Sequence, residues 1–242
     1  QTTTAIGNSG ILINNNNIYD YFLGGASSAG VGTNTGNNNW SITNNRFYQT
    51  ASRTFTGAST HSAISIGGST ATHGAQGFTI TGNTIGYASN SQTGTYTLTG
   101  STGKFQGIAF NGITGGTISN INNNTIASVS LTGVTSSGTS TSSPFIGILI
   151  SNGLANTNSN TIGSQSATGS LTYSTTTTTS TDVYGIYSFA SDVWTTNSNN
   201  IGGISVTNAG ASGTFLLYAI RGNTLSSTTW IANSNNIGGT VA

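Results

Sequence analysis

The sequence is defined first by what it lacks. Its 242 residues contain no cysteine, no methionine and a single proline, and only 3% of them are charged, against about 25% in an ordinary soluble domain. The absence of cysteine excludes a disulfide framework and thiolate metal sites. A net charge of +1 gives no electrostatic footprint for nucleic acid, and no apolar run approaches the roughly 18 residues of a membrane helix. We therefore expect neither a nucleic-acid partner nor membrane insertion.

Small polar residues take the place of the missing charges, because Thr, Ser, Asn and Gly together make up most of the chain. Three acids and two histidines leave little for acid–base or metal chemistry. We therefore expect no enzyme, no cofactor and no metal site.

The main signal is an internal repeat. An apolar anchor follows two residues after an asparagine, and it recurs at intervals of 29 to 41 residues. The anchors are Ile18, Phe47, Ile85, Ile126, Ile162, Ile201 and Ile237. The asparagines are Asn16, Asn45, Asn83, Asn124, Asn160, Asn199 and Asn235.

Two further signals recur in most units. A Gly-Ile pair, as in Gly107-Ile108 and Gly185-Ile186, precedes the asparagine, and a short β-branched stretch such as residues 129–132 follows the anchor. No period of 3.6 residues survives a comparison of the units, so helices are not expected. The pattern predicts an all-β chain with about three short strands in each unit, separated by Gly, Asn and Ser turns.

Units without helices bury an apolar face only by stacking on one another. We therefore predict a β-solenoid in which each strand lies on its counterpart one unit later. Asn tolerates the left-handed conformation that a sharp two-residue corner needs. Stacked at the strand spacing of about 4.8 Å, the seven asparagines should form a hydrogen-bonded ladder at one corner.

Seven anchors predict about seven coils if each unit makes one coil. The alternative is two coils of about half that length per unit. The first is preferred because the Gly-Ile and Asn-x-Ile strands differ in sequence. The two arrangements are separable, since Ile108 would stack directly on Ile126 only if each unit made two coils.

The residues from Ile64 onward resemble the right-handed parallel β-helix repeat of pectate-lyase-like proteins. The likeness rests on Gly-Ile, a gap and then Ile-x-x-Asn-x-Ile, as in residues 107–126. Units such as residues 184–203 are similar to the giant β-strand-repeat surface and adhesin proteins of Bacteroidota. That resemblance implies secretion to the cell surface by the type IX route, although the sorting domain of such proteins is not in this sequence.

The chain is expected to be one solenoid segment over residues 1–242, with less regular units at 1–63 and regular units at 64–242. It starts at Gln1 and its last unit, from Asn235, stops early, which is typical of a segment of a longer array. Neither end shows a charged cap. We expect each end to be covered by further coils of the same polypeptide or by copies of the chain stacked end to end.

Few residues are candidates for chemistry. Asp182 and Asp192 flank the Ile186 strand, and two carboxylates can hydrolyse a glycosidic bond if they lie about 5–9.5 Å apart; without a third acid, loop charges are the better interpretation. His61 and His73 could meet across a loop, but zinc needs at least a third strong ligand. The four basic residues share no column and form no basic stripe. They are Arg46, Arg53, Lys104 and Arg221.

Two features could mark a binding face. Aromatic residues seven positions before the anchors predict a possible stack, which either packs the interior or offers a platform for sugars. They are Trp40, Phe78, Trp194 and Trp230. Threonines such as Thr99 and Thr132 could form a flat ice-binding array, although a paired Thr-x-Thr pattern occurs only at residues 95–99.

The preferred function is a structural or adhesive extracellular scaffold in a stalk, filament or adhesin. The alternative is a glycan- or ice-binding module that uses one flat face, with surface glycans as further partners. A polysaccharide lyase or hydrolase is the remote third interpretation. A contiguous stripe of outward aromatic residues would favour binding, whereas outward Thr, Ser, Asn and Gly would favour a scaffold.

Overall fold

The computed structural model describes residues 7–68, 74–100, 102–134, 136–190, 192–210, 213–223 and 229–238. Regular structure in these residues is almost entirely β-strand, with a short 3₁₀ helix at Ser140–Ser142. None of the described segments forms a helix with the length and apolar character needed to cross a membrane. The fold is therefore all-β, as the repeat pattern predicted.

The strands, numbered β1 to β27 along the chain, form four larger parallel sheets and one small pair. Sheet I contains β2 (Leu12–Asn14), β6 (Ser41–Thr43), β10 (Thr79–Thr81), β14 (Ser119–Asn122), β18 (Ala155–Asn156), β22 (Trp194–Thr195) and β26 (Trp230–Ile231). Sheet II contains β3 (Asn17–Tyr19), β7 (Arg46–Tyr48), β11 (Thr84–Gly86), β15 (Thr125–Ala127), β19 (Thr161–Gly163), β23 (Asn200–Gly202) and β27 (Asn236–Ile237).

Sheet III contains β8 (Arg53–Phe55), β12 (Tyr96–Gly100), β16 (Val129–Val134), β20 (Leu171–Thr175) and β24 (Ile204–Asn208). Sheet IV contains β4 (Ser28–Thr33), β9 (Thr60–Ile66), β13 (Lys104–Asn111), β17 (Phe145–Asn152), β21 (Thr181–Ser188) and β25 (Phe215–Gly222). The small pair is β1 (Asn8–Ser9) with β5 (Asn37–Asn38).

A regular unit contains four strands, so the prediction of three per unit was wrong. From sheet I the chain passes to sheet II, then to III and IV, before the next unit begins in sheet I. The stretch interpreted as one strand around the asparagine is two strands. In the fourth unit β14 ends at Asn122 and β15 begins at Thr125, so two corner residues separate them. The corner turns the backbone within one Ile-x-x-Asn-x-Ile motif.

The apolar columns are in register from unit to unit, and all strand pairing is parallel. In sheet II each anchor pairs with the anchor of the next unit, from Ile18 to Ile237. Ile108 pairs with Ile64 and Ile148 in sheet IV, whereas Ile126 lies in sheet II. One unit therefore contributes one strand to each sheet that it reaches, an arrangement compatible with a β-helix.

The core lies between the sheets and is built from their inward columns. Sheet IV contributes Val31, Ile64, Ile108, Ile148 and Ile186, and these pack with the first six sheet II anchors in a single continuous cluster. Burial decreases towards both ends of the stack, where Leu12 in β2 is 66% exposed and Ile237 in β27 is 59% exposed.

Candidate functional site

The seven predicted asparagines come together in one hydrogen-bonded column at the corner between sheets I and II. Each side-chain Nδ2 donates to Oδ1 of the asparagine one unit later, at 2.9–3.1 Å, from Asn16 through to Asn235. The backbone N–H of each of the first six asparagines donates to the same Oδ1. Each Oδ1 within the column thus accepts two bonds.

The second Nδ2 hydrogen of the inner asparagines reaches a carbonyl of the preceding unit. Asn124 Nδ2, for example, donates to Ile80 O at 2.8 Å as well as to Asn160 Oδ1 at 3.1 Å. The five asparagines from Asn45 to Asn199 have no exposed surface. Their amides are therefore buried with all hydrogen-bonding groups satisfied, as buried polar groups require.

The left-handed corner residue is not the ladder asparagine, as the sequence analysis assumed, but the residue before it. All seven of these residues have φ between 55° and 70°. They are Asn15, Asn44, Gly82, Asn123, Ser159, Ser198 and Ser234. Asn, Gly and small polar residues tolerate this conformation. The ladder position is fixed instead by its side-chain hydrogen bonds.

The predicted aromatic stack is two separate pairs. Trp194 and Trp230 stack with ring centroids 5.2 Å apart, and Trp40 packs against Phe78 at 6.3 Å. The units between them carry Ser119 and Ala155 at this position of sheet I, so the column is interrupted. Trp194 and Phe78 are buried in the core, and Trp194 Nε1 donates to Thr157 Oγ1. Trp194 and Phe78 therefore fill the interior, whereas Trp230, near the end of the stack, is 41% exposed.

The two candidate acids are already engaged by the protein. Asp182 is 3% exposed, and its Oδ2 accepts from the Tyr184 hydroxyl at 2.5 Å and from Arg221 Nη1 at 3.1 Å. Asp192 Oδ2 accepts from the backbone N–H of Gly115 at 2.8 Å. Both carboxylates have structural hydrogen bonds that account for their presence.

Outward aromatic residues do occur, and they lie on the outer face of sheet IV. Tyr184 stacks on Tyr187 at 4.5 Å and on Tyr218 at 5.4 Å, and Arg221 lies over Tyr218. The segment with the 3₁₀ helix covers two of these rings, because Ser140 bonds the hydroxyls of Tyr184 and Tyr187. Both rings are fully buried. The cluster forms a second small core outside the stack.

His61 lies in a buried polar network and not in a cluster of metal ligands. Its Nδ1 bonds Ser28 Oγ at 2.7 Å and its Nε2 bonds the Tyr96 hydroxyl. That hydroxyl donates to Tyr21, and Gln49 links the network to Arg53. His73, its proposed partner, lies outside the described residues. Within the segments that the structure covers, no three His, Cys, Asp or Glu side chains are close enough to hold a metal ion.

Burial should make His61 a source of pH dependence. Desolvation lowers the pKa of His61 from about 6.5 to about 3, so its imidazole ring is neutral in the folded protein. Stability is then complete above the unfolded pKa and decreases as pH falls below it. Between pH 7 and pH 5 the free energy of unfolding should fall by about 2 kcal/mol, measured by urea unfolding at each pH. In the His61→Gln variant this dependence should disappear; an equal slope in that variant would contradict the assignment.

The basic side chains are dispersed. Arg46 donates to Asn90 O, Arg53 pairs with Asp20, and Arg221 pairs with Asp182. The charges of Arg53 and Arg221 are thereby each balanced by an aspartate. Nothing in this distribution provides a continuous positive surface for a polyanion.

Hydroxyl residues form two columns on the outer face of sheet III. One contains Thr99, Thr132, Ser174 and Thr207, and the other contains Thr97, Ser130, Thr172 and Ser205. The array is more regular than the sequence suggested, because Ser takes the place of Thr at three of its eight positions. It presents small polar groups to solvent.

No protein family, no curated protein and no solved structure matches the chain.

Proposed function

We propose that this chain is a segment of a right-handed parallel β-solenoid of about seven coils that acts as a structural or adhesive scaffold in an extracellular stalk, filament or adhesin. The observation that carries the proposal is the unbroken asparagine column, in which each unit binds the next through the same bonds. A contact that repeats identically extends a stack without limit, which suits a protein whose task is reach.

The path of the chain supports a coil count equal to the unit count. Sheets I and II each contain seven strands, one from each unit, in the order of the sequence. Outer positions are mostly small and polar, as on sheet III. The likeness of the repeat to bacterial surface proteins supports the extracellular location and the pectate-lyase-like, right-handed coil.

The ends of the stack support covering by another solenoid unit. Leu12 and Ile237 expose apolar surface at the terminal strands. Among the residues that the structure covers, nothing donates to Asn16 Oδ1, and the backbone N–H of Asn235 has no acceptor. One end therefore offers the acceptor that the other end needs. Further coils of the same polypeptide, or a second copy stacked end to end, would continue the ladder, while surface glycans are partners for an adhesin.

Solution mass tests the proposal. Purified residues 1–242 should associate end to end, because unprotected edge strands pair with one another. Sedimentation velocity over a range of protein concentrations should show a series of species that grows with concentration. A monodisperse monomer throughout the range would contradict the proposed scaffold.

A pair of variants locates the association. The double substitution Leu12→Lys and Ile237→Lys places charges on the two terminal strands and should reduce association, since edge lysines block pairing. The matched control, Thr97→Lys with Thr172→Lys, adds the same charge to the outer face of sheet III and should leave association unchanged. Equal loss in both would assign the association to general charge and not to the ends.

A further inference from the structure

An open groove crosses the outer surface where sheet II turns into sheet III. Its volume is about 540 Å³, within the range of roughly 300–1,000 Å³ typical of ligand sites. Thr125 and Thr161, which pair side by side in β15 and β19, contribute to its lining. Tyr87 lines it from the preceding unit, so the groove extends over three successive units.

The chemistry of the lining is neutral and rich in hydroxyl groups. Ser128, Ser164 and Ser170 join the two threonines, and the methyl groups of Ala127 and Ala167 add apolar surface. No charged residue contributes to the lining. Such a surface offers hydrogen bonds to hydroxyl groups and contact to C–H faces, but no countercharge for an anion.

Tyr87 has a backbone conformation that a tyrosine rarely adopts. Its φ is 65°, in the left-handed region, where a bulky residue is an outlier. The same corner position is left-handed in three other units, where it holds Asp20, Ser128 and Gly203 with φ of 53–59°. Gln49 and Ser164 occupy it without a left-handed φ. Among the left-handed corners, Tyr87 is therefore the one bulky residue. Strain of this kind concentrates at functional sites.

The side-chain amide of Gln165 is a second unusual feature of the same groove. Its Oε1 accepts from Asn236 Nδ2 at 3.0 Å, which orients the amide. Its Nε2 is buried and has no hydrogen-bond partner. Native structures leave few such donors unpaired, and Gln165 lines the groove. The wall of the groove therefore contains an amide donor that the protein leaves unpaired.

We propose that this groove binds a neutral glycan, with a sugar ring on Tyr87 and sugar hydroxyls on the Ser and Thr side chains. An extended polysaccharide suits the geometry, because a hexose unit has a length similar to the strand spacing of about 4.8 Å. Sugars would then follow the stacking direction from unit to unit. This role rests on the adhesive part of the proposed function and names its ligand class, and it does not depend on end-to-end association.

Titration calorimetry with defined hexasaccharides tests the proposal. Cellohexaose, laminarihexaose and mannohexaose are the neutral probes, and hexagalacturonate is the acidic comparator. At least one neutral probe should bind, and hexagalacturonate should bind at least tenfold more weakly. Binding of none of the neutral probes, or preference for hexagalacturonate, would overturn the proposal.

Two matched pairs of variants place the binding in the groove. Tyr87→Asn should weaken binding at least tenfold, whereas Tyr19→Asn, an exposed tyrosine elsewhere in sheet II, should not change it. Thr161→Arg should abolish binding by filling the groove, whereas Asn17→Arg, at the far end of the same column of sheet II, should not. Unchanged binding in either groove variant would overturn the assignment.

Thermal unfolding of the Tyr87→Asn variant separates a ligand role from a packing role. Because Asn tolerates the left-handed conformation, the melting temperature should stay the same or rise while binding falls. A lower melting temperature with unchanged binding would show that Tyr87 serves the fold alone.

Discussion

Replacing Asn124 by aspartate should lower the free energy of unfolding by about 4 kcal/mol, because breaking a buried, satisfied polar contact leaves uncompensated groups in the core. Asn124 Nδ2 donates to Ile80 O and to Asn160 Oδ1, and the residue has no exposed surface. The aspartate has the same shape but no N–H donor, so two acceptors would face a carboxylate oxygen. Urea unfolding measures the loss, and the melting temperature should fall by about 10 °C.

The control is the same substitution at the exposed end of the same column. Asn16 has exposed surface, and its Nδ2 bonds the nearby Asn14 O instead of a carbonyl of a preceding unit. Asn16→Asp should therefore cost less than about 1 kcal/mol, in the range of exposed polar contacts. Similar losses at both positions would show that burial within the ladder is not what stabilises it.

Replacing Gly86 by alanine should lower the free energy of unfolding by about 3 kcal/mol through backbone strain and steric conflict. Gly86 has φ of 125°, and a Cβ built there would lie 1.7 Å from Ala127 O of the next unit. Ala127 belongs to β15, which pairs with β11. Neither strand can therefore move away from the added methyl group without disturbing the pairing of the two strands. Urea unfolding gives the magnitude.

Gly133 separates the steric part from the conformational part. Its φ of 66° is also left-handed, but a Cβ there meets nothing within 4 Å. Gly133→Ala should therefore cost only about 1 kcal/mol, the penalty of the left-handed conformation itself. If the two substitutions cost the same, close approach of the strands is not what selects glycine at position 86.

The sequence was sufficient for those features that repeat in every unit. The Asn-x-Ile column predicted the register of sheet II, since each anchor must stack on the next one to be buried. It also predicted that the asparagines would meet, because residues in one column of a parallel stack are neighbours. The difference between the Gly-Ile and Asn-x-Ile strands was enough to predict that Ile108 and Ile126 belong to different sheets.

Features specific to one unit could not be predicted in the same way. The corner at the asparagine was predicted, but the strands on either side of it are only two to four residues long and were counted as one. The stack of Trp194 on Trp230 follows from their spacing of one unit, whereas the burial of Trp194 depends on packing that its spacing does not reveal. Tyr184, Tyr187 and Tyr218 were missed as a cluster because each faces outward only through the register of sheet IV.

The groove at Tyr87 was also missed, although a signal for it existed. The corner position two residues after the anchor is left-handed at Asp20, Ser128 and Gly203, and the tyrosine at position 87 is an exception among these left-handed corners. Without knowledge that this position is left-handed in those units, the exception could not be recognised as strain.

The most direct test of the account is a distance measurement along sheet II, since its central claim is that each unit adds one strand spacing to a single stack. The cysteine-free chain allows pairs of cysteines to carry spin labels at Asn17 with Asn200 and at Asn17 with Asn236, all exposed positions in one column. Double electron–electron resonance should give label distances near about 24 Å and about 29 Å, which are five and six strand spacings. A distance near about 58 Å for the second pair, or no increase between the pairs, would contradict one coil per unit.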